Sequence, residues 1–77
     1  MIPQTLLDEI QDEYNSASAK FPPYHSTHEG YAVIKEEVDE LWDLVKSNKG
    51  LYANADMKKE CVQIAAMTIR FIADLSA

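Results

Sequence analysis

Residues 31–45 carry a regular helical repeat of apolar side chains. The members of this main stripe are Tyr31, Ile34, Val38, Leu41 and Val45. Their spacing alternates between three and four residues, and an α-helix makes one turn in about 3.6 residues, so the stripe follows one helix face. Ser26 with Glu29 predicts a capping box at the start, with Thr27 as a rival cap. Residues 47–50, Ser-Asn-Lys-Gly, predict its end.

A first helix and a stiff connector precede this segment. Pro3 suits the first turn of a helix, where its missing N–H costs nothing, and apolar residues then recur at helical spacing to about Ala19. Residues 20–25 include two consecutive prolines, which cannot continue a helix. We therefore predict that the first helix ends before this connector.

The third predicted helix has a broad apolar surface. It is predicted to start near Asn54 or Asp56 and to run almost to Ala77. Its predicted core stripe consists of Cys61, Ile64, Ala65, Thr68, Phe71, Ile72 and Leu75. A second arc beside it consists of Val62, Ala66 and Ile69. An arc this broad predicts burial on two fronts, and we assign the second front to another subunit.

The whole pattern predicts an all-α fold. No segment has the alternating period of a β-strand, so we expect a small antiparallel bundle of three helices per chain, completed by oligomerisation. One domain would span residues 1–77, and a core of that size is marginal without a disulfide, a metal or a partner subunit. Cys61 is the only cysteine, which excludes an internal disulfide, and its apolar row predicts a buried, reduced thiol.

The charge balance excludes some classes of partner. Thirteen acidic against seven basic residues give a net charge of −6, which argues against nucleic-acid binding. No stretch approaches the roughly 18 apolar residues of a membrane span, so no membrane partner is expected. The acidic amino end, with Asp8 and Glu9, does not resemble a signal peptide. We therefore expect a soluble cytoplasmic protein.

The acidic residues of the second predicted helix fall into two groups. Glu37 and Glu40 share a row with Val33 and Leu44, at the edge of the apolar stripe. The acids on the opposite, solvent-facing side are Glu36, Asp39 and Asp43. A carboxylate at the edge of a buried stripe needs a partner, because burying it without one costs roughly several kcal/mol. Glu37 and Glu40 are therefore candidate site residues.

The third predicted helix repeats this arrangement with Glu60 and Gln63, which are also three residues apart. Two such pairs facing each other across a bundle would make an oxygen-rich cation site. Carboxylate and amide oxygens, with no His or Cys in the row, favour Mg²⁺ or Mn²⁺ over zinc. The competing interpretation is that the glutamates form ion pairs, for which the candidate partners are Lys35, Lys58, Lys59 and Arg70.

These residues carry a resemblance to a known family. Glu37-Val38-Asp39-Glu40 followed by Glu60-Cys61-Val62-Gln63 resembles the E-x-x-E…E-x-x-D signature of the MazG-like all-α nucleoside triphosphate pyrophosphohydrolases. The resemblance extends over residues 26–75, about two-thirds of the chain. It implies hydrolysis of a (d)NTP to (d)NMP and pyrophosphate with Mg²⁺, by a homodimer or homotetramer whose subunits jointly build the sites.

The resemblance also assigns roles to residues. It implies that Glu37, Glu40 and Glu60 are metal ligands, and it places Gln63 where the family has an aspartate. An amide oxygen can coordinate a cation but brings no negative charge, so we expect weaker ion binding. Glu37 or Glu40 would orient the attacking water as a general base.

Three basic residues are candidate phosphate clamps, with surface salt bridges as the competing role. They are Lys35, Lys59 and Arg70. Two other functions remain open beside the enzyme. One is a catalytically weak nucleotide-binding or regulatory module, in which the missing acid at Gln63 has cost activity. The other is a structural homo-oligomer held by salt bridges of its glutamates.

Overall fold

The chain is helical almost throughout. A computed structural model describes residues 1–47 and 51–76, with side chains described for residues 1–47 and 54–75. Within those ranges it forms helices α1 (Gln4–Lys20), α2 (Thr27–Ser47) and α3 (Leu51–Phe71), followed by a π-helical segment, Ile72–Ser76. The described residues contain no strand, which confirms the all-α class. Among the described residues, no helix has the length and apolar character needed to cross a membrane.

Helix α1 begins directly after Pro3, as predicted to within one residue. The backbone N–H groups of Leu6 and Leu7 donate to the Pro3 carbonyl at 3.1 and 3.2 Å. Pro3 therefore supplies an acceptor to the first turn without needing a donor of its own. At the other end, the Phe21 N–H donates to the Ala17 carbonyl at 2.9 Å, and the two prolines follow.

Helix α2 begins with the predicted cap. The Glu29 N–H donates to Ser26 Oγ at 3.1 Å, which satisfies one of the free donors of the first turn. The Glu29 carboxylate accepts from the His25 N–H at 3.4 Å, so the reciprocal bond reaches the residue before Ser26. Helix α2 extends to Ser47, the first residue of the stop predicted at residues 47–50, and residues 48–50 lie outside the described residues.

Helix α3 differs from its prediction at both ends. It begins at Leu51, earlier than the predicted start near Asn54 or Asp56. Asn and Asp are good caps, but they also fit the first turns of a helix, so their presence alone did not locate its beginning. After Phe71 the chain continues as the π-helical segment, and Ala77 lies outside the described residues.

Helix α3 is the central element, because both α1 and α2 pack against it. The buried core consists of Ala17 from α1 with Ala66 and Met67 from α3. Partly buried side chains around it are Ile10, Tyr14, Val33 and Ile34. Ala66 is fully buried, 0% exposed, so the second apolar arc of α3 is covered there by α1 of the same chain. The prediction that this front needs another subunit is wrong at Ala66.

The predicted core stripe of α3 is only partly buried. Ile64, Phe71 and Leu75 are half-buried, whereas Cys61 and Thr68 are exposed. The prediction of a buried Cys61 thiol is therefore wrong. The physical reason is that α3 serves two neighbours at once, so its buried arc lies between them rather than along the row with the best apolar spacing.

Helix α2 is also rotated relative to its prediction. The side turned to α3 and the core consists of Gly30, Val33, Ile34, Glu37, Leu41 and Leu44. Three members of the predicted main stripe, Tyr31, Val38 and Val45, are exposed instead. At position 30 a Cβ atom would lie 2.6 Å from Phe71 Cδ2, so the absence of a side chain allows the two helices to approach closely.

Candidate metal centre

Three glutamates converge where α2 meets α3. Glu37 and Glu40 come from α2 and Glu60 comes from α3, and one carboxylate oxygen of each lies within 4.8 Å of the others. Glu37 and Glu60 are half-buried, whereas Glu40 is exposed. Because residues three apart lie on one side of a helix, Glu37 and Glu40 reach the same point from successive turns. The structure thus brings together the carboxylates that the sequence singled out.

Gln63 completes this cluster from the next turn of α3. With Nε2 turned toward the carboxylates, its amide donates to Glu37 Oε2 at 2.8 Å and to Glu60 Oε2 at 3.1 Å. With the amide rotated by 180°, Oε1 occupies the same position and adds a fourth oxygen to the cluster. The first orientation satisfies the carboxylates by hydrogen bonding, and the second suits a cation among four oxygen donors.

The cluster is electrostatically crowded at Glu37. Burial, then hydrogen bonding to Glu60 and the negative charges of Glu40 and Glu60, raise the pKa of the Glu37 carboxyl from 4.5 to about 8. Carboxylates that share one site cannot all ionise freely, so one retains a proton at neutral pH. A divalent cation would compete with this proton for the same oxygens.

The competing interpretation was that lysines or Arg70 pair with these glutamates, but the ion pairs in the structure involve other acids. Lys35 Nζ lies 2.9 Å from Asp39 Oδ2, and Lys58 Nζ lies 3.2 Å from Glu9 Oε1. In the part of the chain with described side chains, no salt bridge reaches Glu37, Glu40 or Glu60. The lysines therefore neutralise acids on the outer surfaces, and the cluster keeps its negative charge.

A cavity of about 550 Å³ adjoins the cluster. Glu37 and Gln63 form part of its wall, and the connector contributes Phe21, Pro22 and Tyr24. Its other polar lining residues are Glu13, Glu29, Glu36 and Arg70, whereas Glu40 and Glu60 of the cluster do not line it. Its volume falls within the roughly 300–1,000 Å³ of small-molecule sites.

Arg70 lies in the same cavity wall and is 3% exposed. Its Nη2 donates to the Pro22 carbonyl at 3.0 Å, and its guanidinium carbon lies 4.7 Å from the centre of the Tyr24 ring. Its Nη2 also lies 3.9 Å from Asp74 Oδ2. Arg70 thus holds the connector against α3 while bordering the cavity.

Tyr24 was not identified from the sequence as a site residue. It is buried, its hydroxyl donates to Met67 Sδ at 3.4 Å, and its N–H donates to Asp74 Oδ2 at 3.3 Å. Burial raises the pKa of its phenol, with the negative charges of Asp74, Glu29 and Glu37 adding to the effect and Arg70 opposing it. The only sequence signal was an aromatic residue directly after two prolines.

The other candidate phosphate clamps lie in different places. Lys59 lines a second, shallower depression of about 350 Å³ together with Glu40 and Glu60. Lys35 is exposed on the outer side of α2 and bonded to Asp39. The structure therefore places Lys59 beside the cluster and Arg70 in the cavity next to it, but does not bring Lys35 to either.

Comparison of the chain with protein-family models, with curated proteins and with solved structures gave no match.

Proposed function

We propose that this chain is a Mg²⁺-dependent nucleoside triphosphate pyrophosphohydrolase, which converts a (d)NTP and water to (d)NMP and pyrophosphate. The observation that carries the proposal is the convergence of Glu37, Glu40 and Glu60 within 4.8 Å. The resemblance of the two four-residue motifs to the MazG-like signature supports it, because the converging side chains are those of the motifs.

The donor set suits a hard cation. It consists of three carboxylates and, after rotation of the Gln63 amide, one amide oxygen. Mg²⁺ prefers oxygen ligands of this kind, and Mn²⁺ accepts them as well. The raised pKa of the Glu37 carboxyl also supports a cation at this place. A nearby positive charge would favour the ionised carboxylate that burial and the other acids disfavour.

The residues around the cluster have separable tasks. Bound Mg²⁺ would neutralise the charge of phosphate oxygens and favour nucleophilic attack by water. Lys59, beside Glu40 and Glu60, would add a positive charge for the phosphate chain. Glu37 or Glu40 would accept the proton of the attacking water. The adjoining cavity would receive the nucleoside part of the substrate, with Arg70 in its wall.

The proposal includes an assembly and a location. The three helices form an antiparallel bundle that a homodimer or homotetramer completes, in a cytoplasmic protein. Supporting this, the buried core is small, while ten large apolar side chains are exposed among residues 1–47 and 54–75. A surface of this kind is typical of a chain that buries more on association.

A second candidate is a nucleotide-binding or regulatory module with little catalytic activity. The observation that favours it is the orientation in which Gln63 Nε2 donates to both Glu37 and Glu60. In that orientation the carboxylates are satisfied by hydrogen bonds, and no cation is required to hold the two helices together.

The deciding experiment is a pyrophosphate assay on the purified chain. It would be incubated with each common NTP and dNTP in Mg²⁺ or Mn²⁺, with EDTA as the metal-free control. We expect pyrophosphate and the monophosphate in equal amounts, and none in EDTA. Release of inorganic phosphate instead would contradict the proposal. Metal-dependent nucleotide binding without turnover would favour the second candidate, and an absence of binding would reject both.

A variant at Gln63 tests the site itself. Gln63→Asp supplies the fourth acid of the signature, so we expect Mg²⁺ to bind roughly tenfold more tightly, because ligand charge governs the affinity of such sites. Isothermal titration with Mg²⁺ measures this directly. Asp39→Asn is the matched control, since Asp39 pairs with Lys35 on the outer side of α2. Unchanged affinity in Gln63→Asp would remove Gln63 from the proposed ligand set.

A further inference from the structure

Arg70 is a buried cation that does not use all of its hydrogen-bond donors. A guanidinium carries five N–H donors and no acceptor. Among the described residues, Nη2 donates to the Pro22 carbonyl at 3.0 Å, and Nη1 meets only the thioether sulfur of Met67, a weak acceptor, at 4.0 Å. Nε donates to none of them. Because Arg70 is 3% exposed and lines the cavity, a ligand in the cavity would satisfy the remaining donors.

The surroundings of Arg70 indicate which kind of acceptor it would meet. Its contacts with Pro22, Tyr24 and Met67 hold it in the cavity wall, so it would meet the part of a substrate that enters the cavity. The same wall contains four glutamates, which are Glu13, Glu29, Glu36 and Glu37. Four acidic side chains against one arginine disfavour an anionic group at this place. The acceptor for Arg70 is therefore an uncharged one, such as a carbonyl oxygen or a ring nitrogen.

Two of these glutamates are available to accept hydrogen bonds from a ligand. Glu29 is already engaged, because its carboxylate accepts from the His25 N–H at 3.4 Å and lies 3.3 Å from His25 Nδ1. Glu13 is half-buried and Glu36 is exposed, and neither forms a salt bridge within the part of the chain whose side chains are described. A carboxylate is a strong acceptor for an amino group. The cavity thus offers donors from Arg70 and acceptors from Glu13 and Glu36.

We propose that the cavity selects a nucleobase that carries both a carbonyl and an amino group, which is guanine or cytosine. Arg70 donates to the carbonyl oxygen or the neighbouring ring nitrogen, and Glu13 and Glu36 accept from the amino group. Thymine and uracil lack the amino group, and adenine lacks the carbonyl. This inference rests on the proposed function and deepens it by naming the substrate class.

Titration with nucleosides, without metal or phosphate, tests the selection. Deoxyinosine lacks only the amino group of deoxyguanosine, and deoxyuridine has a carbonyl in place of the amino group of deoxycytidine. By NMR titration we expect at least one amino-bearing nucleoside to bind about tenfold more tightly than its partner, and the tighter of the two names the base. Arg70 is the only arginine in the sequence, so its Nε–H signal is unambiguous and should shift on binding.

A double variant tests the assigned acceptors. Glu13→Gln with Glu36→Gln keeps the size of both side chains but removes their charges, so we expect the preference to fall to about threefold or less. Asp12→Asn is the control, because Asp12 is exposed on α1 outside the cavity lining and its loss should leave the preference unchanged. Circular dichroism would check that each variant remains helical.

Three results would each overturn the inference. They are equal binding within both nucleoside pairs, an Arg70 Nε–H signal that does not move, and a preference that survives in the double variant. Its failure is distinguishable from that of the enzyme, because the titration needs neither Mg²⁺ nor turnover. A base preference without pyrophosphate release would support the inference and reject only the enzyme. Pyrophosphate release without a base preference would reject only the inference.

Discussion

The two sides of α2 contrast in what they bury and what they expose. The inner side places a glycine, Gly30, and a carboxylate, Glu37, against α3. The outer side leaves Tyr31, Val38 and Trp42 in solvent. For stability alone the two sets would be exchanged, because burying hydrocarbon is favourable and burying a carboxylate is costly. Stability of the single chain therefore does not by itself account for the placement of either set.

The acids on the two sides show the same contrast. On the outer side Asp39 and Asp43 pair with Lys35 and Lys46. On the inner side Glu37 meets other acids, and its pKa rises to about 8. Acidic residues of the same helix thus have different neighbours. Those on the outer side pair with lysines on a solvated surface, whereas Glu37 lies among other acids in the candidate site. Four predictions test this contrast, from the largest expected effect to the smallest.

The largest effect is expected on catalysis. Glu60→Gln keeps the shape of the side chain but removes one charge from the cluster, so we expect Mg²⁺-dependent pyrophosphate release to fall about 100-fold or more. Asp39→Asn, the same change on the outer side, should retain wild-type turnover. Both would be assayed at saturating nucleotide over a Mg²⁺ series. Equal losses in the two variants would show that catalysis depends no more on Glu60 than on an acid of the outer side.

The next effect is expected on packing at Gly30. Gly30→Val would force side-chain atoms into the space held by Phe71 and Leu75, so we expect the free energy of unfolding to fall by about 2 kcal/mol. Ala32→Val introduces the same residue at an exposed position of α2 and should change stability by about 0.5 kcal/mol or less. Urea denaturation followed by circular dichroism measures both. Equal stabilities would contradict the close approach of α2 and α3.

The third effect concerns pH. Because the pKa of Glu37 is about 8 in the folded chain and 4.5 is its ordinary value, the folded state holds this proton more tightly. Its contribution to stability is therefore complete below about pH 4.5 and is lost as the pH rises to about 8. In EDTA, we expect the free energy of unfolding to decline over this range more steeply for wild type than for Glu37→Gln. Parallel declines would argue against the raised pKa.

Mg²⁺ should act in the opposite sense on the same group. Since binding requires the deprotonated carboxylate, affinity should increase as the pH rises toward 8, with proton uptake by the buffer during titration. Glu37→Gln should lose this pH dependence.

The smallest effect is expected on the outer side. Lys35→Ala removes an ion pair whose two side chains are both more than half exposed, so we expect a change in stability of about 0.5 kcal/mol or less. Urea denaturation at low and high salt measures it. A loss of several kcal/mol would show that the outer pair is structural.

Much of the local structure could be predicted from the sequence. The Ser26 cap, the Pro3 start and the connector were predicted because each depends on residues within one helical turn of one another. The residues of the acidic cluster could also be predicted from the sequence. Glu37 and Glu40 interrupt an apolar row, and Glu60 with Gln63 repeats their spacing on the next helix.

The tertiary structure alone decided which helix faces are buried. Apolar spacing on α2 allows two neighbouring rows that share Ile34 and Leu41, and the row with more hydrocarbon is the one left exposed. On α3 the buried arc lies at Ala66 and Met67 because α1 and α2 both pack against this helix. Periodicity measures how apolar each face is, whereas burial depends on how three helices share their surfaces. The sequence thus determined the helices and the candidate acids. Packing determined that the acids converge, while Tyr31, Val38 and Val45 remain exposed.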